Sequence, residues 1–348
     1  MVRICKPQVH RRVAGLLFCV TFAAACSSNA LETAPPTIAP AQPAQSPPVT
    51  ASPAGMVLPL GGHPQAATFD AATSRLAVLS PGPDPAAPSG ITVVGTAQPP
   101  RSIALPGPAT AVTGDGRGTA YLSGRGGYFT VDLSAGHATR VDVDGAPDTD
   151  FTAIARRADG KLMLGSADGA VYLLEPPAAT RAAVAKRNKL FARVDSVVTQ
   201  GNTAVVLDRG QTSVTAIGAD GNAQQALRAG RGATTLAADP LGRVLVADAR
   251  GGQLLVFGVD PLILRQAYPV RQAPYGLAGS RGLAWVSQTA TNMVIGYDLT
   301  TGIPVEKVRY PTVRQPNSLA FDDASGTLYV VSGSGDGVQV IEHAAGRR

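Results

Sequence analysis

The chain of 348 residues has three cysteines, four histidines and one tryptophan, and each shortage closes off a class of chemistry. Cys5, Cys19 and Cys26 all fall within the first 26 residues, so everything beyond them has no thiol, no disulfide and no thiolate ligand set. His63, His137 and His343 stand far apart in the remainder, without HExxH-like spacing. There is no Gly-x-Ser-x-Gly elbow, and a nucleophilic triad would have to be assembled without cysteine and from few histidines. Charge is sparse as well. Of the net +6, Arg3, Lys6, Arg11 and Arg12 account for four, and the residues after position 25 sum to about +2. That removes the electrostatic argument for a nucleic-acid partner.

Those first residues have the layout of an export signal: a basic start, an apolar core over 13–25, and small residues at its end. The core is too short to span a membrane comfortably. Ala23-Ala24-Ala25-Cys26 resembles the bacterial lipobox, with Ala23 where leucine is usual. The resemblance implies cleavage after residue 25 and Cys26 as a lipidated new N-terminus; an ordinary cleavable signal with an incidental cysteine is the alternative. Several acyl chains would anchor the protein stably where one would be marginal. The expected location is the outer face of the cytoplasmic membrane, in the cell envelope. Residues 27–54 carry seven prolines and a single charge, Glu32, which excludes helix and central strand and predicts a disordered, extended tether. At about 3.1 Å per residue it could reach roughly 75 Å from the anchor.

Beyond the tether the sequence repeats. A short apolar run, a turn, and a second apolar run ending in a small or acidic residue recur seven times, the second runs ending at Ser80, Ser123, Gly165, Asp208, Asp248, Ser287 and Ser332. The steps of 43, 42, 43, 40, 39 and 45 residues give a period near that of propeller blades. A small twisted sheet has two apolar faces and can bury neither alone, whereas sheets stacked around an axis bury both. Asp115-Gly116, Asp144-Gly145, Asp159-Gly160, Asp168-Gly169, Asp220-Gly221 and Asp336-Gly337 supply turn chemistry. The last copy lacks an outer strand and residues 56–60 (MVLPL) lack a partner, so the ring is expected to close with one strand from each terminus. The predicted fold is therefore all-β: a seven-bladed β-propeller over 56–343, after a signal peptide (1–25) and a lipidated cysteine with its linker (26–55), and before a tail (344–348).

The loops leading into the inner strands supply the candidate site, a polar channel mouth of Gln65, Asp150, Asp195, Arg231, Tyr275 and Asn317. The plainer alternative is that these residues satisfy backbone groups at the rim. Gly114–Gly118 and Gly333–Gly337 are glycine-rich but have no helix start behind them, and are read as hairpins. The interval 175–194 gathers Arg181, Lys186, Arg187, Lys189 and Arg193. It is expected to hold a short helix after Pro176-Pro177 and an outer strand at 190–194; its cations are either a solvated loop or a patch for anionic groups.

The runs LAFDDASGTLYVVS and LAADPLGRVLVAD resemble the repeats of YVTN and NHL-type propellers. With the lipobox and the proline tether, the segments GGYFTVDLSAGHATRVDV and DFTAIARRADGKLMLGSADGAVYLL resemble mycobacterial LppL-like envelope lipoproteins. The resemblance implies an actinobacterial, membrane-anchored protein with no established activity. The function expected is a binding or scaffolding module for an envelope protein or glycan, without cofactor or metal. The alternative is a cation-dependent hydrolase or lactonase with its site in the channel, as in gluconolactonase-type propellers. None of Glu32, Glu175, Glu306 and Glu342 is placed to match that family's metal glutamate, although Asp150, Asp195 and Asn317 could offer oxygen ligands to Ca²⁺. Quinone-dependent propellers rely on repeated tryptophans, and Trp285 stands alone.

Overall fold

The computed structural model describes residues 1–2, 36–95 and 99–346. The signal segment, Cys26 and the first part of the linker lie outside the described residues. Among those described, the chain forms strands and turns and no α-helix. Seven sheets form, six of four strands and one of five. Their inner strands, in blades 1 to 7, are Ala66–Asp70, Ala111–Gly114, Phe151–Arg156, Ser196–Gln200, Ala233–Asp239, Pro274–Gly279 and Pro316–Asp322. Each inner strand touches those of both neighbouring blades, and the seventh touches the first, so the ring is closed.

The burial pattern shows why these sequences make blades. In Arg75–Ser80, Leu76 and Val78 enter the apolar cluster shared with blade 7, while Ala77 and Leu79 enter the one shared with blade 2. Alternate residues therefore face opposite neighbours, and a strand buried on both faces reads as a continuous apolar run. Leu207 and Ala204 divide in the same way between the clusters of blades 4–5 and 3–4. The core is thus seven wedges of side chains between seven sheets. Burying each Leu or Val side chain contributes about 1.5–3 kcal/mol.

Met56–Leu58 pairs antiparallel with Val338–Ile341, with Met56 opposite Val340 and Leu58 opposite Val338. This is the closure the sequence predicts; the strand stops before Pro59, which has no N–H to give the ladder. All six Asp-Gly turns carry their glycine at positive φ, from 68° at Gly116 to 112° at Gly337. Both glycine-rich pieces are hairpin turns as expected, 115–118 lying between Ala111–Gly114 and Thr119–Gly124, and 333–337 between Thr327–Ser332 and Val338–Ile341.

The interval 175–194 departs from expectation. No helix follows Pro176-Pro177; instead Arg181–Ala182 pairs in parallel with His137–Val143 as a fifth strand on blade 2. The outer strand of blade 3 is Val184–Lys189, and 190–194 is the loop that leads to the next blade. Alternating exposure along Val184–Lys189 places cations on an open edge, where they discourage pairing with another chain. Acids meet the cations, two of them distant in sequence and one, Asp195, two residues from its partner. Arg181 pairs with Asp144 at 2.6 Å, Lys189 with Asp168 at 3.2 Å and Arg193 with Asp195 at 3.3 Å.

Candidate functional site

Because every blade is an antiparallel meander, the loops leading into the inner strands share one face with the turns joining second and third strands. That face opens onto a central channel of about 410 Å³, lined by residues from all seven blades. Much of the lining is hydroxyl-bearing, and most of those hydroxyls hold blades together. Thr110 donates to the Phe151 carbonyl at 2.7 Å, and Thr152 to that of Val194. Thr199 donates to the carbonyl of Arg156 at 2.7 Å, and Thr235 to that of Tyr275. Ser318 Oγ accepts the Ala67 amide at 3.1 Å across the seam between blades 7 and 1. These groups are spoken for by the fold.

Four of the six sequence candidates line the channel: Gln65, Asp195, Tyr275 and Asn317. Asp150 does not. Its backbone bridges to Arg125 and its exposed side chain borders a separate depression with Asp148 and Asp168. Arg231 also lies off the channel, because Asp248 Oδ2 takes its amide at 2.9 Å and leaves its side chain exposed. Arg209 takes its place. It follows the strand-ending Asp208 in a turn on the same face, and with Asp195 it makes up the charged part of the described lining. The only signal in the sequence was its position after that acid.

Asp195, Arg209 and Tyr275 form a desolvated cluster. The Arg209 amide donates to Asp195 Oδ2 at 2.8 Å. Burial raises the Asp195 carboxyl above the ordinary aspartate range, against the opposing pull of that amide and of the Arg209 and Arg193 charges. Burial likewise raises the Tyr275 phenol. Arg209 Nε is buried without a hydrogen-bond partner among the described residues. The Arg209 guanidinium is thus only partly satisfied by hydrogen bonds within the protein.

The mouth is partly roofed by the chain itself. The later part of the segment expected to be a free tether is extended, as predicted, but from Thr37 to Ala54 it makes a strap lying on this face. The Ile38 amide donates to the Gly210 carbonyl at 2.8 Å, and the Arg209 guanidinium donates to the carbonyl of Ala41. Ser46 Oγ donates to the Thr289 carbonyl at 2.6 Å and accepts the Gln315 amide at 3.0 Å. Gln315 Nε2 also reaches the Ala44 carbonyl and Asn317 Oδ1, each at 3.0 Å, which links the strap to the channel lining. Polyproline conformations leave carbonyls without internal partners, and side-chain donors of the face fill that need.

Among the described residues, no group of three His, Cys, Asp or Glu side chains converges on a point that could hold a metal ion. No family model matches the chain, and no curated protein matches it. Solved structures do. A chain of the mitotic checkpoint complex superposes with a TM-score of 0.70 at 11% identity, over 87% of this chain and 96% of that one. The streptogramin B lyase structure gives 0.66 at 12% identity, over 84% and 97%. Hydrazine synthase of Kuenenia stuttgartiensis gives 0.64 at 15% identity, over 85% and 99%. The likeness shows the fold, a seven-bladed β-propeller. At such identities it says nothing about ligand or reaction.

Proposed function

We propose that this protein is a binding module of the cell envelope, lipid-anchored through Cys26 on the outer face of the cytoplasmic membrane, whose channel mouth receives a protein or glycan partner. The observation that carries the reading is the desolvated cluster of Asp195, Arg209 and Tyr275 beside Asn317, in a channel whose hydroxyls are otherwise committed to joining blades. A carboxylate held by the Arg209 amide, with that residue's charge in the same lining, can fix the orientation of a polar ligand. The two offer no pair of carboxylates for general acid and base catalysis.

The anchor rests on the sequence: the lipobox-like Ala23-Ala24-Ala25-Cys26, the confinement of cysteine to the first 26 residues, and the resemblance to mycobacterial LppL-like lipoproteins. A cation-dependent hydrolase or lactonase is the second reading, and two enzymes, a lyase and a synthase, share the fold. Against it, the described channel lining contains one carboxylate, short of the several oxygen ligands Ca²⁺ takes.

The test compares the purified full chain with an Asp195→Ala, Tyr275→Phe, Asn317→Ala variant for retention on cell-wall glycan and on solubilised envelope protein. Retention by the wild type that the variant loses supports the mouth as the site; equal retention refutes it. Stoichiometric Ca²⁺ in the protein, with thermal stability lost to chelator, would favour the enzyme. For the anchor, Cys26→Ala should move the protein out of the membrane fraction. A variant still processed and membrane-bound would refute lipidation.

A further inference from the structure

The strap is held in a built seat. Ser46 is 3% exposed, and besides its two hydroxyl contacts its amide donates to Gln315 Oε1 at 3.0 Å. Five residues earlier Ala41, 6% exposed, rests where Gly232 has no side chain; a Cβ on Gly232 would meet the Ala41 Cβ at 3.0 Å. Asn292 Nδ2 donates to the Pro47 carbonyl at 2.9 Å. The other strap bonds on this stretch run between its backbone and the face, so the seat reads an extended backbone with two small side chains and tolerates much else.

Backbone strain marks the same place. Gln315 (φ 54°) and Asn292 (φ 52°) are both in the left-handed region that non-glycine residues rarely adopt, and both hydrogen-bond the strap. Ala273, whose carbonyl accepts the Thr289 amide beneath Ser46, has φ 55°. Non-glycine residues at positive φ also occur away from the strap, at Ser74, Ala179 and His343, so the strain accompanies the seat without defining it.

We propose that the loops of blades 4 to 7 form a receptor for an extended, proline-rich peptide carrying an alanine and a serine five positions apart, and that the chain's own 37–47 segment is its resident occupant. The occupant shares with polyproline ligands a preformed chain and free carbonyls, which side-chain donors meet here in place of an aromatic groove, and its two small residues are buried. Covalent linkage gives the resident segment a high effective concentration, so a second peptide of the same chemistry gains the seat only when the strap is loosened. This names a partner class for one sector of the face assigned above to binding; it rests on that reading for the idea that the face is the working surface, shares Arg209 with the channel cluster, and does not depend on the lipid.

The test uses the full chain and a fluorescein-labelled peptide of residues 36–49. In an Ala41→Arg, Ser46→Arg variant, whose strap can no longer seat, the peptide should bind saturably and at least ~10-fold more tightly than to the wild type. Adding Gln315→Ala to that variant should weaken binding by about 10-fold, and a peptide with arginine at the serine position should not bind. A folded double variant that ignores the peptide, a wild type that binds it equally well, or indifference to the arginine peptide would each overturn the proposal. Should the double variant fail to fold, Ser46→Ala alone serves as host, with intermediate affinity expected and no binding overturning the idea. Tyr275→Phe, which removes a channel phenol that makes no hydrogen bond to the strap among the described residues, should leave peptide binding intact, so failure here and failure of the channel reading are separate results.

Discussion

Blades 4 and 5, beneath the start of the strap, differ from blades 1 to 3 at one repeated position, the last residue of the second strand. In blade 5 it is Asp248, fully buried, whose Oδ1 accepts the amides of Gly232 and Gly251, each at 2.8 Å, while Oδ2 accepts that of Arg231. In blade 4 it is Asp208, which accepts the amides of Ala192 at 2.7 Å and Gln211 at 3.0 Å and so fixes the turn that presents Arg209. Blade 1 has Ser80 instead, and its buried hydroxyl has no partner among the described residues. In blade 2 Ser123 makes one side-chain contact, with Thr110 at 2.9 Å. An acid at this position gathers several loop amides at once and makes the loop a fixed platform. In blades 1 and 2 the serine holds the loop by few bonds, whereas Ser166 of blade 3 bonds Asp168 and both backbone groups of Ala170, and Ser332 of blade 7 accepts the amides of Ser334 and Asp336. The start of the strap lies on this platform, because Asp248 sets Gly232 against Ala41 and Asp208 sets Arg209 beneath the Ala41 carbonyl; its later part, at Ser46, lies on blades 6 and 7, where the position is Ser287 and Ser332.

The largest effect expected from breaking this contrast is that of Asp248→Ala, which strands three buried amides and should destabilise the fold by about 3 kcal/mol. Denaturant unfolding of the full chain measures it, and a loss below about 1 kcal/mol would mean that the carboxylate does not organise the loop. Next comes the strap. Hydrogen exchange should find the Ile38 and Ser46 amides protected in a stretch whose composition predicts none, because each donates into the propeller. Ser46→Arg should speed exchange at Ser46's neighbours by about 100-fold or more, while amides of blades 1 to 3 stay unchanged. Uniform loosening of all blades would refute a sector-specific seat.

The ring was legible in the sequence because its cause is local and repeated. Period, turn chemistry and apolar runs all follow from seven copies of one sheet, and the unpaired 56–60 stretch pointed to its partner by subtraction. The strap was not legible. Proline content announces an extended chain, but whether that chain is solvated or seated depends on donors such as Arg209 and Gln315, which are far away in sequence and carry no periodic mark. Asp150 and Arg231 went astray for a related reason. The Arg125 bridge leaves Asp150 at a separate depression and Asp248 holds the Arg231 backbone outside the lining, through partners that no sequence pattern marks. The helix expected after Pro176-Pro177 failed because the free edge of blade 2 offered Arg181–Ala182 a ladder.

A smaller effect is expected within the channel cluster. Burial sets the folded-state pKa of Asp195 above its unfolded value, so the folded protein holds that proton more tightly. The stability this contributes is present below the unfolded value and is lost as pH rises through the folded one. At neutral pH the charge therefore opposes folding, and Asp195→Asn, which keeps an acceptor for the Arg209 amide, should raise Tm by about 1–3 °C. The gain should shrink to nothing below about pH 4. Thermal melts across that range check it; a gain unchanged in acid would show that the substitution acts through packing and not through charge.

The smallest effect belongs to Ser80→Ala, the blade 1 counterpart of Asp248→Ala. The serine Oγ is buried without a partner among the described residues, so its desolvation is uncompensated in the folded state and alanine removes only that penalty. Stability should stay within about 0.5 kcal/mol of the wild type or rise slightly. The same repeat position would then change from a site of large loss to a neutral one between two blades of one ring. That difference cannot come from the repeat itself, since both strands are buried on both faces and pair in the same order. It would come from the loops each end residue holds, and a loss at Ser80 comparable to that at Asp248 would show instead that the position matters to every blade alike and that the acids have no special part in building the strap's seat.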